Sequence, residues 1–268
     1  MIIYEKILEL GKRNSSFVVV TVINVTGFAP GKIGFKMIVE SDGSTLGTVG
    51  GGAIEKEAVK EALTFLTTGE SQTKEYLLSD KADPSSGNVI PMSCNGKIEL
   101  YYEVHGRNPV VYIFGGGHVG SALLHMLKPL PFHTILVDNR EEFADFIKNP
   151  NATEIIHADY AEYVLSFNPA PESYFVVLTH GHEFDYAIME ALYERKIDAK
   201  YIGVISSKSK SVKMLSQLKK QLGKDVDIST LHMPIGIKLG GDSAAEIALA
   251  IAAEIQSVRF NKEISIDK

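Results

Sequence analysis

The sequence predicts an α/β protein in two parts. A C-terminal Rossmann-like, doubly wound parallel sheet occupies 107–268, and a smaller α+β domain over 1–106 precedes it. Three observations carry this. Val110-Val111-Tyr112-Ile113-Phe114 is an unbroken apolar run, the pattern of a strand buried on both faces. Gly115, Gly117 and Gly120 follow it in G-x-G-x-x-G spacing and lead into a helical pattern. Downstream, strand and helix patterns alternate, which indicates parallel strands joined by crossover helices.

The elements follow in order. A first helix is expected near 2–13. Strands follow near 16–25, 35–40, 45–49 and 97–104, and a helix near 53–67 starts directly after Gly50-Gly51-Gly52. His105-Gly106-Arg107-Asn108-Pro109 is a polar break with Gly and Pro, and the domain boundary is placed there. Beyond it, strands are expected at 110–114, 134–137, 154–157, 174–178 and 201–205. Helices are expected near 141–147, 160–166, 184–195 and 208–222. Ser243-Ala244-Ala245-Glu246 has the spacing of a capping box and opens a last, nearly all-apolar helix.

Each glycine of the central motif has a job. Gly115 makes the tight turn, Gly117 lets a pyrophosphate approach the backbone, and Gly120 lets helix and strand pack closely. The helix start, from His118 onward, presents free N–H groups to an anion. Asp138 ends the next apolar strand, 23 residues after Gly115, near the spacing of a ribose-binding acid. The alternative is a domain that keeps this shape and binds no dinucleotide, since fold does not imply function.

Composition excludes several classes. Of 268 residues, 45% are hydrophobic and 22% charged, as in soluble globular proteins. The net charge of −6 argues against non-specific nucleic-acid binding, which relies on clustered Lys and Arg. The one cysteine, Cys94, rules out an intrachain disulfide. Charges in Met1–Lys6 disrupt any signal-peptide core, and no apolar run approaches a membrane span. The expectation is a cytoplasmic protein with neither nucleic acid nor membrane as partner.

Further candidate positions have competing readings. Gly50, Gly51 and Gly52 free the backbone to expose N–H donors at a helix start. Glu55 there is either a cap or an acid pointing into a site. Lys32 and Lys36 either reach an anion at that turn or are ordinary solvated lysines. Cys94 is a thiol ligand or nucleophile, or a small core residue. Thr179-His180-Gly181-His182-Glu183-Phe184-Asp185 follows a strand, where open α/β sheets bind ligands. It lines a site, or Thr179 or Asp185 caps the next helix. The H-x-H spacing resembles metallo-β-lactamase-type sites, but Asp185 comes one position late and no histidine follows, so no metal is expected. Ser206, Ser207, Lys208 and Lys210 suit a phosphate or form a basic helix start; lysine there opposes the helix dipole, which favours the anion. His232–Ile237 and Gly240-Gly241-Asp242 lead to the last helix and are expected to close one wall of the crevice.

Taken together, these segments resemble the XdhC/CoxI family, the xanthine dehydrogenase accessory factors. The resemblance rests on Asp42–Gly52 with Glu55, on Tyr112–Gly120, on Leu178-Thr179-His180 with Asp185, and on Tyr201-Ile202-Gly203 with Ser207 and Lys210. Pro234-Ile235-Gly236 and Ala253-Glu254-Ile255 complete the ordered set. It implies a chaperone that binds the molybdenum cofactor (molybdopterin), assists its sulfuration and delivers it to a xanthine dehydrogenase-type molybdoenzyme. It further implies a homodimer and contact with a cysteine desulfurase. The cofactor-binding residues it implies are Gly50, Gly51, Gly52, Glu55, Cys94, Gly115, Gly117, His118, Gly120, Asp138, Thr179, His180, Ser207 and Lys210, with no catalytic residue. There are departures: Gly31 stands where the family has arginine, Ala53 where cysteine is frequent, and Lys238 where the family has an Asp. Lys208 and Ser209 replace a common Arg. The competing reading is an NAD(P)-dependent oxidoreductase that binds NAD or another nucleotide through Gly115, Gly117, Gly120 and Asp138, with His180 or His182 as proton donor.

Overall fold

The computed structural model describes residues 2–79, 88–92 and 95–262. It divides into two compact units, Met1–Arg107 and Asn108–Lys268.

The first unit is a six-stranded sheet with a helix on each face. Its elements are α1 (Ile2–Lys12), β1 (Phe17–Gly27), β2 (Lys36–Glu40), β3 (Thr45–Gly47), α2 (Gly52–Thr68), β4 (Gln72–Leu78), β5 (Val89–Ile90) and β6 (Gly96–His105), and the sheet order is β3-β2-β1-β6-β4-β5. All pairings are antiparallel except β4 with β5. Side chains alternate across a strand, so β1 serves two cores. Phe17 and Val19 pack with Leu10 of α1 and Ile38. Val18, Val20 and Val22 pack with Ile54, Ala58, Ala62 and Phe65 of α2. That double burial explains the continuous apolar run Phe17–Val20. On the α2 face, the buried Tyr76 and Tyr102 hydroxyls satisfy each other at 2.7 Å.

The sequence pattern missed β4. Only Tyr76 and Leu78 are buried along it, and Leu77 between them is an exposed apolar residue that masks the alternation.

The second unit holds β7 (Val110–Phe114), α3 (His118–Leu127), β8 (His133–Asp138), β9 (Glu154–His157), α4 (Tyr160–Ser166) and β10 (Ser173–Val177). It continues with α5 (His182–Glu194), β11 (Ala199–Val204), α6 (Lys208–Leu222), β12 (Leu231–His232) and α7 (Ala244–Arg259). Every strand pairing is parallel, in the order β9-β8-β7-β10-β11-β12. In chain order within the unit this is 3-2-1-4-5-6, the order of dinucleotide-binding sheets, with its switch point between β7 and β10. Val111, Ile113, Tyr174 and Val176 face α3 and α7. Tyr112, Phe114, Phe175 and Val177 face α4, α5 and α6.

The helix expected near 141–147 does not form. Residues 141–148 make successive turns, with Ile147 N–H donating to Asp145 Oδ1 at 2.9 Å. That local bond competes with the helical ladder, and Pro150 prevents continuation. The capping box of α7 is present, with both Ser243–Glu246 bonds made. No described helix is long and apolar enough to cross a membrane.

Candidate functional site

In the first unit, Gly50, Gly51 and Gly52 have φ values of +137°, +78° and +63°, which side-chain-bearing residues rarely adopt. The turn is held from inside. Glu55 Oε1 accepts from the Thr48 hydroxyl, from Gly51 N–H at 2.9 Å and from Val49 N–H at 3.2 Å. Glu55 is therefore the cap of its own loop. Burial raises its carboxyl pKa, and the bonds from Thr48, Gly51 and Val49 outweigh that, so the net direction is down. Among the described residues, the first-turn N–H groups of Gly52 and Ala53 have no acceptor. Lys36 donates to Thr21 at 2.8 Å, while Lys32 is exposed. Cys94 lies outside the described residues.

This arrangement makes a prediction. Glu55→Ala leaves Gly51 N–H and the N–H of the buried Val49 unsatisfied, a loss of about 1–2 kcal/mol. Glu55→Gln keeps an acceptor oxygen and loses less. Because the folded pKa lies below the ordinary value, the stabilisation is present above about pH 4.5 and fades as pH falls through the folded value. Urea denaturation at pH 7 and pH 4 measures both effects; equal stability of wild type and Glu55→Ala at pH 7 would refute the assignment.

In the second unit, Gly115 and Gly120 sit at a tight turn and a close backbone approach. Gly115 has φ +112°, and a Cβ on it would meet Leu178 O at 2.3 Å. A Cβ on Gly120 would meet Gly115 O at 1.9 Å. A Cβ on Gly117 would meet nothing within 4 Å, so this position faces open space at the start of α3.

Asp138 corrects the sequence expectation. Its side chain is fully buried, and all four acceptor positions are filled. Oδ2 accepts from Gly116 N–H at 2.7 Å and from Arg140 Nη2 at 2.9 Å. Oδ1 accepts from Arg140 N–H at 2.9 Å and Nε at 3.0 Å. Burial alone would raise this carboxyl, but Arg140 and the Gly116 amide hold it below its ordinary value. The acid that spacing assigned to a ribose instead fixes the glycine turn. Asn149 assists by donating to Gly116 O at 3.1 Å and Phe143 O at 2.8 Å.

Thr179 is likewise structural. Its N–H and hydroxyl donate to Asp185 Oδ1 at 3.1 and 2.6 Å, so Asp185 ties the loop after β10 to the first turn of α5, whose N-cap, Gly181, has no side-chain cap bond. Asp185 is buried, and desolvation raises its pKa against the opposing pull of Thr179 and His182. His182 lies between Asp185, at 3.6 Å, and Lys210, whose Nζ donates to His182 Nε2. His180 bonds Asn139 Oδ1 at 3.1 Å. Since Asn139 follows β8 and His180 follows β10, this bond spans the end of β7. His118 is exposed on the first turn of α3, and Ser207 is exposed at the N-cap of α6 without a cap bond.

Sequence reasoning did not connect Tyr201, His232 and Glu254. Glu254 accepts from Tyr201 at 2.5 Å and from Gly236 N–H at 2.9 Å, and pairs with His232 at 3.3 Å. Burial raises the Glu254 carboxyl, and His232, Tyr201 and Gly236 outweigh it to a net decrease. The cluster pins the segment after β12 across the carboxyl end of β11, where Ile235 N–H bonds Val204 O at 3.1 Å. A glutamate within the apolar run of the last helix is the signal available in the sequence.

The charges at helix starts discriminate among these places. An acid occupies the first turn of α1, α2, α4, α5 and α7. Neither α3 nor α6 has one, and neither has a side-chain cap. Both start at the carboxyl end of the parallel sheet, after β7 and β11, with only β10 between those strands. At about 4.8 Å between neighbouring strands, the strands they follow end roughly 10 Å apart, and the two uncompensated positive helix ends rise from there on opposite faces of the sheet. The arrangement is suited to a ligand with separated anionic groups.

Comparison with known proteins places the chain. Residues 111–255 match the XdhC Rossmann domain, and residues 10–77 match the XdhC and CoxI family. The chain belongs to the XdhC/CoxI family. The uncharacterized protein YqeB of Escherichia coli K12 is 26% identical over 97% of this chain and 47% of its own length. The molybdenum cofactor insertion chaperone PaoD of the same organism is 24% identical over 92% of this chain and 84% of its own length. A probable xanthine dehydrogenase subunit from Bacillus subtilis is 28% identical over 56% of this chain and 43% of its own length. The chain thus spans about half the length of two of these relatives. A crystal structure from Bacillus halodurans, described as a xanthine dehydrogenase, superposes with TM-score 0.52 at 20% identity, covering 98% of this chain and 97% of that one. That likeness concerns the fold.

Proposed function

We propose that this chain is an accessory protein of molybdoenzyme maturation. In this reading it holds the molybdenum cofactor, supports its sulfuration and passes it to a xanthine dehydrogenase-type enzyme. The observation that carries the reading is the pair of uncompensated helix starts, α3 and α6, flanking the end of β10. Family membership and the PaoD relative support the choice of ligand. The open position at Gly117 fits a phosphate against the backbone.

The cofactor supplies a terminal phosphate and a dithiolene that coordinates molybdenum. The N–H groups of His118 and Val119 are the donors for the phosphate, since they start α3 without an acceptor among the described residues. Lys210, held by His182, and Ser207 add a cation and a hydroxyl at the start of α6. Asp138, Arg140 and Asn149 act indirectly by fixing the backbone of the turn. A homodimer, a cytoplasmic location and a cysteine desulfurase as sulfur donor belong to the same proposal.

The test is anaerobic titration of the protein with free molybdenum cofactor, with NADH in parallel. Saturable cofactor binding is expected, and Gly117→Leu is expected to weaken it at least about tenfold, because a side chain there fills the approach to the helix start. Gly117 is the clean position, with φ −68° and free space; Gly51, at φ +78°, would strain under any side chain. NADH binding without cofactor binding would replace this reading with the oxidoreductase one. The saturated Asp138 carboxylate argues against that outcome, since it leaves no acceptor for a ribose hydroxyl.

A further inference from the structure

The outer face of α6 carries a charge pattern unlike the rest of the chain. The protein has a net charge of −6, yet Lys208–Leu222 contains five lysines and no acid, and Lys224 follows. Lysines that pair with carboxylates, such as Lys60, Lys74, Lys97, Lys148 and Lys200, lie elsewhere. Among the described residues, Lys208, Lys219, Lys220 and Lys224 have no acidic partner.

These lysines border an apolar floor. Ser211, Met214 and Leu218 turn inward. Val212, Leu215 and Lys219 follow at the i, i+3, i+7 spacing of one helical stripe beside the buried one. Val212 is 69% exposed. Two cavities, of about 700 and 420 Å³, share Val212 and Leu215 and so form one groove. Its far wall is Ile228, Leu231, Met233 and Pro234, and no acidic side chain lines it. Lys208 marks one end and Lys219, Lys220 and Lys224 the other. Lys208 and Lys219 are about 16 Å apart along the helix axis.

We infer that this groove docks an acidic, amphipathic segment of a protein partner, with apolar side chains over Val212 and Leu215 and carboxylates at both ends. Two physical arguments select a protein segment. Phosphate backbones need no apolar floor, and a membrane-surface helix needs large apolar or aromatic side chains that project outward, whereas here Leu215, Ile228, Leu231 and Met233 are half-buried in the groove and only Val212 and Pro234 of its apolar lining are exposed. The inference does not depend on which ligand the crevice takes. Because α6 begins at Ser207 and Lys210, a partner seated here lies beside the crevice mouth.

The test uses the full chain and a fluorescein-labelled peptide with glutamates at both ends and leucines between, followed by anisotropy. Duplex DNA and phosphatidylserine vesicles serve as parallel probes. Saturable peptide binding is expected, weakening several-fold as salt rises from about 50 to 300 mM. Lys220→Glu/Lys224→Glu and Val212→Ser/Leu215→Ser are each expected to weaken it at least about tenfold, with melting temperature unchanged. The four changes are on or near the surface, so folding is preserved. Three results overturn the inference: no saturable peptide binding, peptide binding indifferent to the valine and leucine changes, or capture of DNA or vesicles in preference to the peptide.

Discussion

Gly120→Ala is expected to destabilise the second unit by about 3 kcal/mol or more, the upper end of the range for overpacking. One added methyl group would sit 1.9 Å from Gly115 O. That neighbour is backbone at the end of a central strand, so no side chain can swing away. Relief requires α3 to move off β7, and α3 packs through Leu123, Leu124 and Leu127 into a core shared with α7. For a unit of this size the loss corresponds to a melting temperature lower by roughly 6–12 °C. Gly117→Ala, three residues earlier, is the control. Its φ of −68° suits alanine and its Cβ meets nothing, so its stability is expected to stay within about 0.5 kcal/mol of wild type. Scanning calorimetry of the two variants separates the glycine that packs from the glycine that faces open space. Equal melting temperatures would show that helix and strand approach each other less closely than the 1.9 Å contact requires.

That contrast shows which parts of this molecule are legible in sequence. The roles of Gly115, Gly117 and Gly120 are local: a turn, an open face and a close approach, all set within six residues. The parallel sheet is legible for a similar reason, because strands buried on both faces, such as Val110–Phe114 and Tyr174–Val177, leave continuous apolar runs. The XdhC/CoxI resemblance, read from the ordered motifs, agrees with the family matches over both units. What spacing leaves out is side-chain conformation and pairing between distant segments. Asp138 has the spacing of a ribose acid, and spacing does not report that Arg140 turns back onto it. Arg140 itself lies over Phe143 at 3.9 Å, in a crossover expected to be helical. Thr179 and Asp185 suit a lining or a cap by position, whereas in the structure they bond each other and tie the loop to α5 without capping its N-terminus. Glu254 and His232 are 22 residues apart with no motif between them, so only the fold brings them together.

Asp138 and Asp185 are both buried carboxylates at the carboxyl end of the same sheet, and they are expected to respond oppositely to the same change. Asp138→Asn breaks a buried ion pair and turns an amide N–H toward the donors of Gly116 or Arg140. Removing one partner of such a pair costs about 3–5 kcal/mol, and the partial exposure of Arg140 places this one near the lower figure. Asp185→Asn keeps an acceptor for the Thr179 N–H and hydroxyl and removes the desolvation that raises the carboxyl pKa. Its stability at pH 7 is expected to stay within about 1 kcal/mol of wild type. The pH dependences carry opposite signs. The folded pKa of Asp138 is depressed, so its contribution is present above about pH 4 and lost as pH falls through the folded value. The folded pKa of Asp185 is raised, so stability declines as pH rises from about 4 through the folded value. Urea denaturation from pH 3 to pH 7 measures both. The gap between wild type and Asp138→Asn should narrow towards pH 3, whereas Asp185→Asn should gain on wild type as pH rises. A parallel loss in both variants at pH 7 would mean that the Asp185 carboxylate, like that of Asp138, is held in its charged form by the fold.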